Sequence, residues 1–293
     1  METKYGVILG SPRSGTTFLV NSLKALPYCE CVSGILLPVV IPHIVNTVPS
    51  ETISQTLAFG FEKALHDYLV SGIPTSRFLA IQKWLLGYID LKELVLAWQR
   101  KRVIKTVLYK EPFLSFAPEF AFSSLPDCKI LYIYRDGRDC ADSLVRSYDI
   151  LTDEKLLNLK SSEMPIGRKY DHRYVPWWVD NGEEEKFLSS TPYLRAIWMW
   201  KEMVSRCHKF FYSPSIIASQ RVMFLKYEDF IQEPLKYGEQ VVHHFQGVMN
   251  NNLRKQFLQA RTSSIGIHVK RDGREIREAE QLARKELELY GYI

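Results

Sequence analysis

Gly10-Ser11-Pro12-Arg13-Ser14-Gly15-Thr16-Thr17 is the stretch on which the fold turns. It fits the phosphate-loop pattern G-x-x-x-x-G-K-[ST] at every fixed position but one. Thr16 stands where a nucleoside triphosphatase keeps the lysine that reaches the β- and γ-phosphates, and the one cation of the stretch, Arg13, sits inside the loop. Upstream, Tyr5-Gly6-Val7-Ile8-Leu9 is a short apolar run suited to a buried strand. Downstream, Phe18, Leu19, Leu23 and Leu26 recur at helical spacing over 17–26. The pattern predicts a strand, a tight turn and a helix. N–H groups at such a helix start point at an anion, the helix dipole favours negative charge, and Gly15 lets the backbone approach closely. A phosphorylated ligand is expected there.

Further along the chain, 50–100 reads as helical, with Leu57, Phe61, Leu65, Tyr68 and Leu69 on one face and 85–98 continuing after the Gly72-Ile73-Pro74 break. This is a predicted helical insertion. Strands are predicted at 102–108, 129–134 and 222–225, and helices at 113–124, 139–148 and 192–212. The remainder reads as helical except for a basic loop at 262–273. Alternating strands and helices predict an α/β fold: a P-loop NTPase-like parallel sheet flanked by helices, with helical insertions. Residues 150–190 are polar and broken by Pro165, Gly167, Pro176 and Gly182, with Tyr170, Tyr174, Trp177 and Trp178 among them. Such an excursion in a compact domain reads as a lid or mobile loop, although an aromatic-rich stretch is more often simply anchored to the core. No linker, low-complexity tract or repeat divides the chain, so 1–293 is expected to be one domain.

Composition bounds the partners. The 293 residues are 46% hydrophobic, enough for one large core, and 38 basic against 33 acidic residues give a net charge of +5. That excess is too mild to call for nucleic acid or a membrane, and it is compatible with an anionic small ligand. The apolar run 35–45 is too short to span a bilayer and carries Pro38, Pro42 and His43. The first apolar run leads straight into the phosphate loop rather than reading as a signal peptide. Five cysteines, at 29, 31, 128, 140 and 207, form no disulfide framework, and Cys29-x-Cys31 lacks both the spacing and the partners of a metal site. A cytoplasmic location and no metal are expected.

A second constellation follows the strand predicted to end at Tyr134: Arg135-Asp136-Gly137-Arg138-Asp139-Cys140-Ala141-Asp142-Ser143. An NTPase commonly ends the comparable strand in a magnesium-binding aspartate, and here the first residue past the strand is an arginine. Arg135, with Ser143 two helical turns on, can clamp one more phosphate by a bidentate fork and a hydroxyl. The bland alternative is a salt-bridged helix start in which Asp136, Arg138 and Asp139 pair locally.

These two motifs, in this order, resemble those of the sulfotransferases that use 3′-phosphoadenosine 5′-phosphosulfate (PAPS). The resemblance covers nearly the whole chain, and the branch it looks most like contains the tyrosylprotein sulfotransferases. It implies that Arg13, Ser14, Gly15, Thr16 and Thr17 grip the 5′-phosphosulfate, that Phe18 takes the adenine-stacking position, and that Arg135 and Ser143 grip the 3′-phosphate. Lys110-Glu111-Pro112-Phe113 looks like the branch's Lys-Asp-Pro-Phe motif and gives Lys110 the catalytic lysine role. Lys105, in a Lys-Thr-Val, fits that interval worse and reads as a strand-end decoy. Lys226-Tyr227-Glu228-Asp229 resembles the family's Tyr-Glu-Asp and brings Tyr227 toward the adenine, and Lys270 would reach the 3′-phosphate. Leu289-Tyr290-Gly291-Tyr292 is similar to the branch's ending. PAPS is then the co-substrate, its 3′,5′-bisphosphate (PAP) the product, and no metal is required.

The acceptor side departs from the family. Pro112 and Gly34 occupy the two places where relatives keep a histidine or glutamate base. His43, Glu51, His66, Asp67 and Glu111 are candidates, with His43 first because imidazole titrates near neutral pH. The expected acceptor is a soluble small molecule offering a hydroxyl or a nitrogen. Residues 28–100 and 150–200, with Trp84, Trp98 and the aromatic group from Tyr170 to Trp178, would form its pocket. The alternatives are a protein or glycan sulfotransferase and a protein that binds PAPS or PAP without turnover. A P-loop kinase would need a loop lysine and a magnesium-binding carboxylate that are not in their expected places.

Overall fold

A computed structural model of the chain describes residues 4–33, 51–70, 77–98, 104–125, 127–148, 150–157 and 167–293. Among them the strands are β1 (Lys4–Leu9), β2 (Cys29–Ser33), β3 (Thr106–Lys110), β4 (Lys129–Tyr134), β5 (Gly167–Tyr170), β6 (Arg173–Pro176) and β7 (Val222–Lys226). Five of these form one parallel sheet in the order β2-β3-β1-β4-β7, and β5 pairs with β6 as an antiparallel hairpin. Side chains alternate across the sheet. Val7, Leu9, Ile130 and Tyr132 enter one buried cluster, while Ile8, Leu108, Leu131 and Ile133 enter the other. Both faces are therefore covered, as a parallel sheet requires.

Helix α1 (Thr16–Leu23) buries Leu19, Val20 and Leu23 on the second face, beside Val241 and Val242. In the insertion, helix α2 (Glu51–Val70) buries Leu65 in the first cluster, and its Phe61 ring meets Tyr109 at 5.1 Å and Phe120 at 5.7 Å. The expected facing of Tyr68 and Leu69 lies outside the described side chains. Helix α3 (Gly137–Ser147) follows β4 and packs on the long helix α4 (Pro192–Phe211), where a Cβ on Gly137 would stand 2.4 Å from the Trp200 ring. The Trp200 indole Nε1–H donates to the carbonyl of Arg135 at 3.2 Å, which fixes the residue just past the strand.

Several boundaries differ from expectation. Of the strand predicted at 102–108, residues 102 and 103 lie outside the described residues, and the strand seen runs over Thr106–Lys110, where its ladder with β1 pairs Lys4 with Thr106 and Ile8 with Lys110. The helix predicted at 113–124 divides into a 3-10 turn, Pro112–Phe116, and a helix, Pro118–Ser124. Proline suits a helix start, and Pro118 begins the second piece. The continuous helix expected over 85–98 is two pieces, Arg77–Leu85 and Leu91–Trp98, and Asp90 accepts from the Glu93 amide at 2.7 Å to start the second. Within 150–190 the structure forms a short helix (Asp153–Leu157), the β5–β6 hairpin and another helix (Glu184–Ser189). Trp178 is buried and stacks on Phe116 at 5.3 Å, so this tryptophan is core rather than pocket wall.

Cys29, Cys128, Cys140 and Cys207 are buried, Cys31 is partly buried, and none of the five is in a disulfide among the described residues. Among the described residues no helix is long and apolar enough to cross a membrane. Helix α5 (Pro234–His244) is tied to β4 by the His244 ring, whose Nε2 lies 3.0 Å from the carbonyl of Ile130. Burial pushes this imidazole down to about 4, with Lys129 and His243 adding to the effect and the Ile130 bond opposing it. His244 therefore charges more readily in the unfolded chain, and stability is lost as pH falls from the ordinary histidine value toward 4. After discounting for its partial exposure, the loss by pH 5 is expected to be about 1–2 kcal/mol. Urea unfolding at pH 7 and pH 5 measures it, and His244→Gln, which keeps a donor but does not titrate, should flatten that part of the profile.

Candidate active site

The connections leaving β1 and β3 run toward opposite edges of the sheet, which opens a crevice at the carboxyl ends of the strands. The phosphate loop fills the centre of it. The Gly10 amide donates to Ser115 Oγ at 3.0 Å and the Ser14 amide to the Ser11 carbonyl at 3.1 Å, so the loop is tied to itself and to the turn after β3. Arg13 takes a left-handed backbone, φ 71°, which is costly for a residue with a Cβ and is held by the surrounding turn. Gly15 caps α1 at φ 98° without a side-chain cap, leaving the amides of the first turn directed at the crevice.

Gly15 also lies against the ring of Tyr227, 2.5 Å from where a Cβ would stand. Gly15→Ala is therefore expected to strain the loop by about 1–2 kcal/mol from the backbone alone. Displacement of Tyr227 adds to that. The expected readouts are a melting temperature lowered by roughly 2–4 °C per kcal/mol and at least about tenfold weaker binding of PAP in a calorimetric titration.

Three cations meet around the loop. The Arg13 Nε–H donates to Ser143 Oγ at 2.9 Å, and its guanidinium lies 5.5 Å from the centre of the Tyr148 ring. Arg135, only 3% exposed, donates from Nη1 to the Arg13 carbonyl at 2.8 Å and from Nη2 to the Ser264 carbonyl. Its guanidinium covers the Tyr227 ring at 4.6 Å, and its Nε is buried with no hydrogen-bond partner among the described residues. On the other side of the loop, Lys110 Nζ reaches Thr17 Oγ1 at 3.4 Å. Burial lowers the pKa of this ammonium and nearby Lys24 lowers it further, while Glu111 opposes both.

The remaining sequence candidates fall into place around this centre. Ser14 and Thr16 are buried within the loop, Thr17 is exposed, and Phe18 is half-buried, its ring 5.8 Å from that of Phe230. The Tyr227 hydroxyl pairs with Ser264 Oγ at 2.7 Å. Ser143 faces Arg13 rather than Arg135 in this structure. Lys270 is exposed at the end of the basic loop. Lys105 lies at the opposite end of β3, its ammonium 4.8 Å from the centre of the Tyr28 ring. At strand rise, about 16 Å separates it from Lys110. His43 and Gly34 lie outside the described residues. Glu111 is buried: Oε1 accepts from the Phe113 amide at 3.0 Å, Oε2 has no hydrogen-bond partner among the described residues, and burial pushes the carboxyl up to about 7 against the Phe113 bond and Lys110.

The helix start after Arg135 only partly follows the local-pairing alternative. Asp136 and Arg138 do pair locally at 2.7 Å. Asp139 keeps a local ion pair with Arg135 at 3.7 Å and also binds the distant basic loop: its Oδ2 accepts from the Gly266 amide at 2.7 Å, and its Oδ1 meets the His268 amide at 3.1 Å and the ring Nδ1 at 2.6 Å. Ser115, Ser264 and His268 are site neighbours that the sequence did not mark. A lone serine or histidine without a spacing partner carries no local signature. Among the described residues no group of three or more His, Cys, Asp or Glu side chains is arranged to hold a metal.

A sequence profile of the sulfotransferase family matches residues 7–248. The chain belongs to the sulfotransferase family. It is a sulfotransferase enzyme built on the P-loop nucleotide-binding fold. Its fold is similar to that of the sulfotransferase domain of the Synechococcus PCC 7002 olefin synthase, at 16% identity and a TM-score of 0.52 over 100% of this chain and 96% of that one. Weaker likenesses are to a sulfotransferase domain from the curacin biosynthetic pathway (15% identity, TM-score 0.46, covering 100% and 99% of the two chains) and to a mouse sulfotransferase solved with PAP (12%, 0.40, 98% and 84%). No curated protein matches the chain in sequence.

Proposed function

We propose that this sulfotransferase moves the sulfuryl group of PAPS to a hydroxyl or nitrogen of a soluble small-molecule acceptor in the cytoplasm, through one domain spanning 1–293. The observation that carries the reading is the placement of Arg13, Lys110 and Arg135 about a single uncapped helix start, with Lys110 on Thr17 and Arg135 on the loop's own carbonyl. Such an array suits a ligand with two separate anionic ends. Arg13, Lys110 and the amides of Ser14, Gly15, Thr16 and Thr17 hold the 5′-phosphosulfate; Arg135, Ser143 and Lys270 hold the 3′-phosphate; Phe18 and Tyr227 flank the adenine.

In the transfer the acceptor atom attacks sulfur in line with the bridging oxygen. A new bond to sulfur forms as the sulfur–oxygen bond to the 5′-phosphate breaks, the electron pair leaves with PAP, and the acceptor proton passes to a base. Arg13 and Lys110 neutralise the charge that gathers on the departing phosphate, so the assigned groups need no metal. His43 is proposed as the base, because an unperturbed imidazole titrates near neutral pH. Trp84 and Trp98, 42% and 44% exposed, offer aromatic surface on the insertion for the acceptor.

The test is transfer of label from radiolabelled PAPS, with and without a metal chelator, to separate pools of small metabolites, tyrosine-containing peptides and glycans. Label in the metabolite pool under both conditions is expected. Label confined to peptides or glycans would overturn the acceptor class, and tight binding of PAP without any transfer would leave only a nucleotide-binding role.

A further inference from the structure

The basic loop 262–271 is fastened to the nucleotide crevice by groups on or next to a single helix. Arg135, two residues before α3, donates to the Ser264 carbonyl. Asp139 on the first turn of α3 takes the Gly266 amide, the His268 amide and the His268 ring. Asp142, one turn on and fully buried, takes Arg271 at 2.8 Å, and Arg146 reaches the Ile267 carbonyl at 3.4 Å. Gly266, at φ 71°, makes the turn that aims two amides of the loop at one carboxylate.

Asp139 is the centre of this arrangement. It is 1% exposed, and a carboxylate so enclosed is tolerated only with its charge paired and its oxygens hydrogen-bonded. Burial works against its ionisation, yet the His268 and Gly266 donors, with Arg135 at 3.7 Å, outweigh it and hold the carboxyl below its usual range. Three of these donors belong to the loop, so the carboxylate is satisfied when the loop is docked and left short of partners when it is not. Docking in turn sets Ser264 against both Arg135 and Tyr227 and fixes the stem from which Lys270 projects. Beside that stem the buried Arg135 Nε has no hydrogen-bond partner among the described residues.

We infer that Asp139 is a positioning residue for recognition of the nucleotide's 3′-phosphate, acting through loop 264–270 rather than by touching the ligand. The inference rests on the PAPS reading given above. It makes selectivity for a 3′-phosphorylated nucleotide depend on a carboxylate that an anionic ligand would never contact.

The experiment is calorimetry of PAP and of adenosine 5′-phosphate, which lacks the 3′-phosphate, on the wild-type chain, Asp139→Asn and His268→Ala. Asparagine keeps the shape and one acceptor but cannot receive both loop amides and the ring. The wild type is expected to prefer PAP by at least about tenfold; equal affinities there would refute the PAPS reading itself. Given that preference, each variant should bind PAP about tenfold more weakly and adenosine 5′-phosphate within about twofold of wild type. In turnover the KM for PAPS should rise with kcat at saturation little changed. Equal weakening of both nucleotides would mark Asp139 as a purely structural group, and unchanged PAP binding would remove it from recognition; either result overturns the inference. Should Asp139→Asn fail to fold, the same ratio measured on His268→Ala decides, since that change cuts the clasp from the loop side and leaves Asp139 its two loop amides.

Discussion

Lys110→Ala is expected to slow sulfuryl transfer by about 10²–10³ in kcat, with Lys105→Ala within a fewfold of wild type. Lys110 closes β3 beside the phosphate loop and contacts Thr17, whereas Lys105 precedes the same strand and covers Tyr28 at its far end. A parallel strand has one functional end, so two lysines on one β3 segment cannot both serve a crevice at its carboxyl edge. The burial that lowers the Lys110 pKa places its charge where water screens it poorly, which strengthens its effect on a developing phosphate anion. Single-turnover kinetics with saturating PAPS isolates the chemical step. A defect larger in Lys105→Ala than in Lys110→Ala would refute the assignment of the leaving-group cation.

Arg135→Ala should weaken PAP binding by roughly ten- to a hundredfold or more, since each charge-assisted hydrogen bond to a phosphate contributes about 1.5–3 kcal/mol. The loss should be much smaller for adenosine 5′-phosphate. The structure adds a second consequence. Arg135 also bridges the Arg13 and Ser264 carbonyls and covers the Tyr227 ring, so its removal takes the donor from two half-buried carbonyls and should lower the melting temperature. Arg135→Lys separates the two effects: a point charge remains, but the planar fork that spans two acceptors does not. Calorimetry and thermal unfolding on both variants supply the comparison. Unchanged PAP affinity in Arg135→Ala would end the 3′-phosphate assignment.

The sequence by itself determined the parts whose signals are local. The apolar run before Gly10, the glycine spacing of the loop and the helical period after it specify β1, the turn and α1, because backbone conformation there is set by residues within one or two turns. The same holds for β4, α4 and β7, and the order of the loop and the Arg135–Ser143 motif was enough to indicate the sulfotransferase family. Tertiary structure decided what depends on residues far apart in the chain. The ladder with β1 shifted β3 and so separated Lys110 from Lys105 by the length of a strand. Packing against Phe116 took Trp178 out of the polar excursion and into the core. Ser143 turned to Arg13, Ser264 closed on Arg135, and Asp139, while keeping Arg135 at 3.7 Å, took its hydrogen bonds from Gly266 and His268. A buried charge is satisfied by whichever donors the fold brings to it, and a single serine, aspartate or histidine carries no periodicity from which that partner can be read.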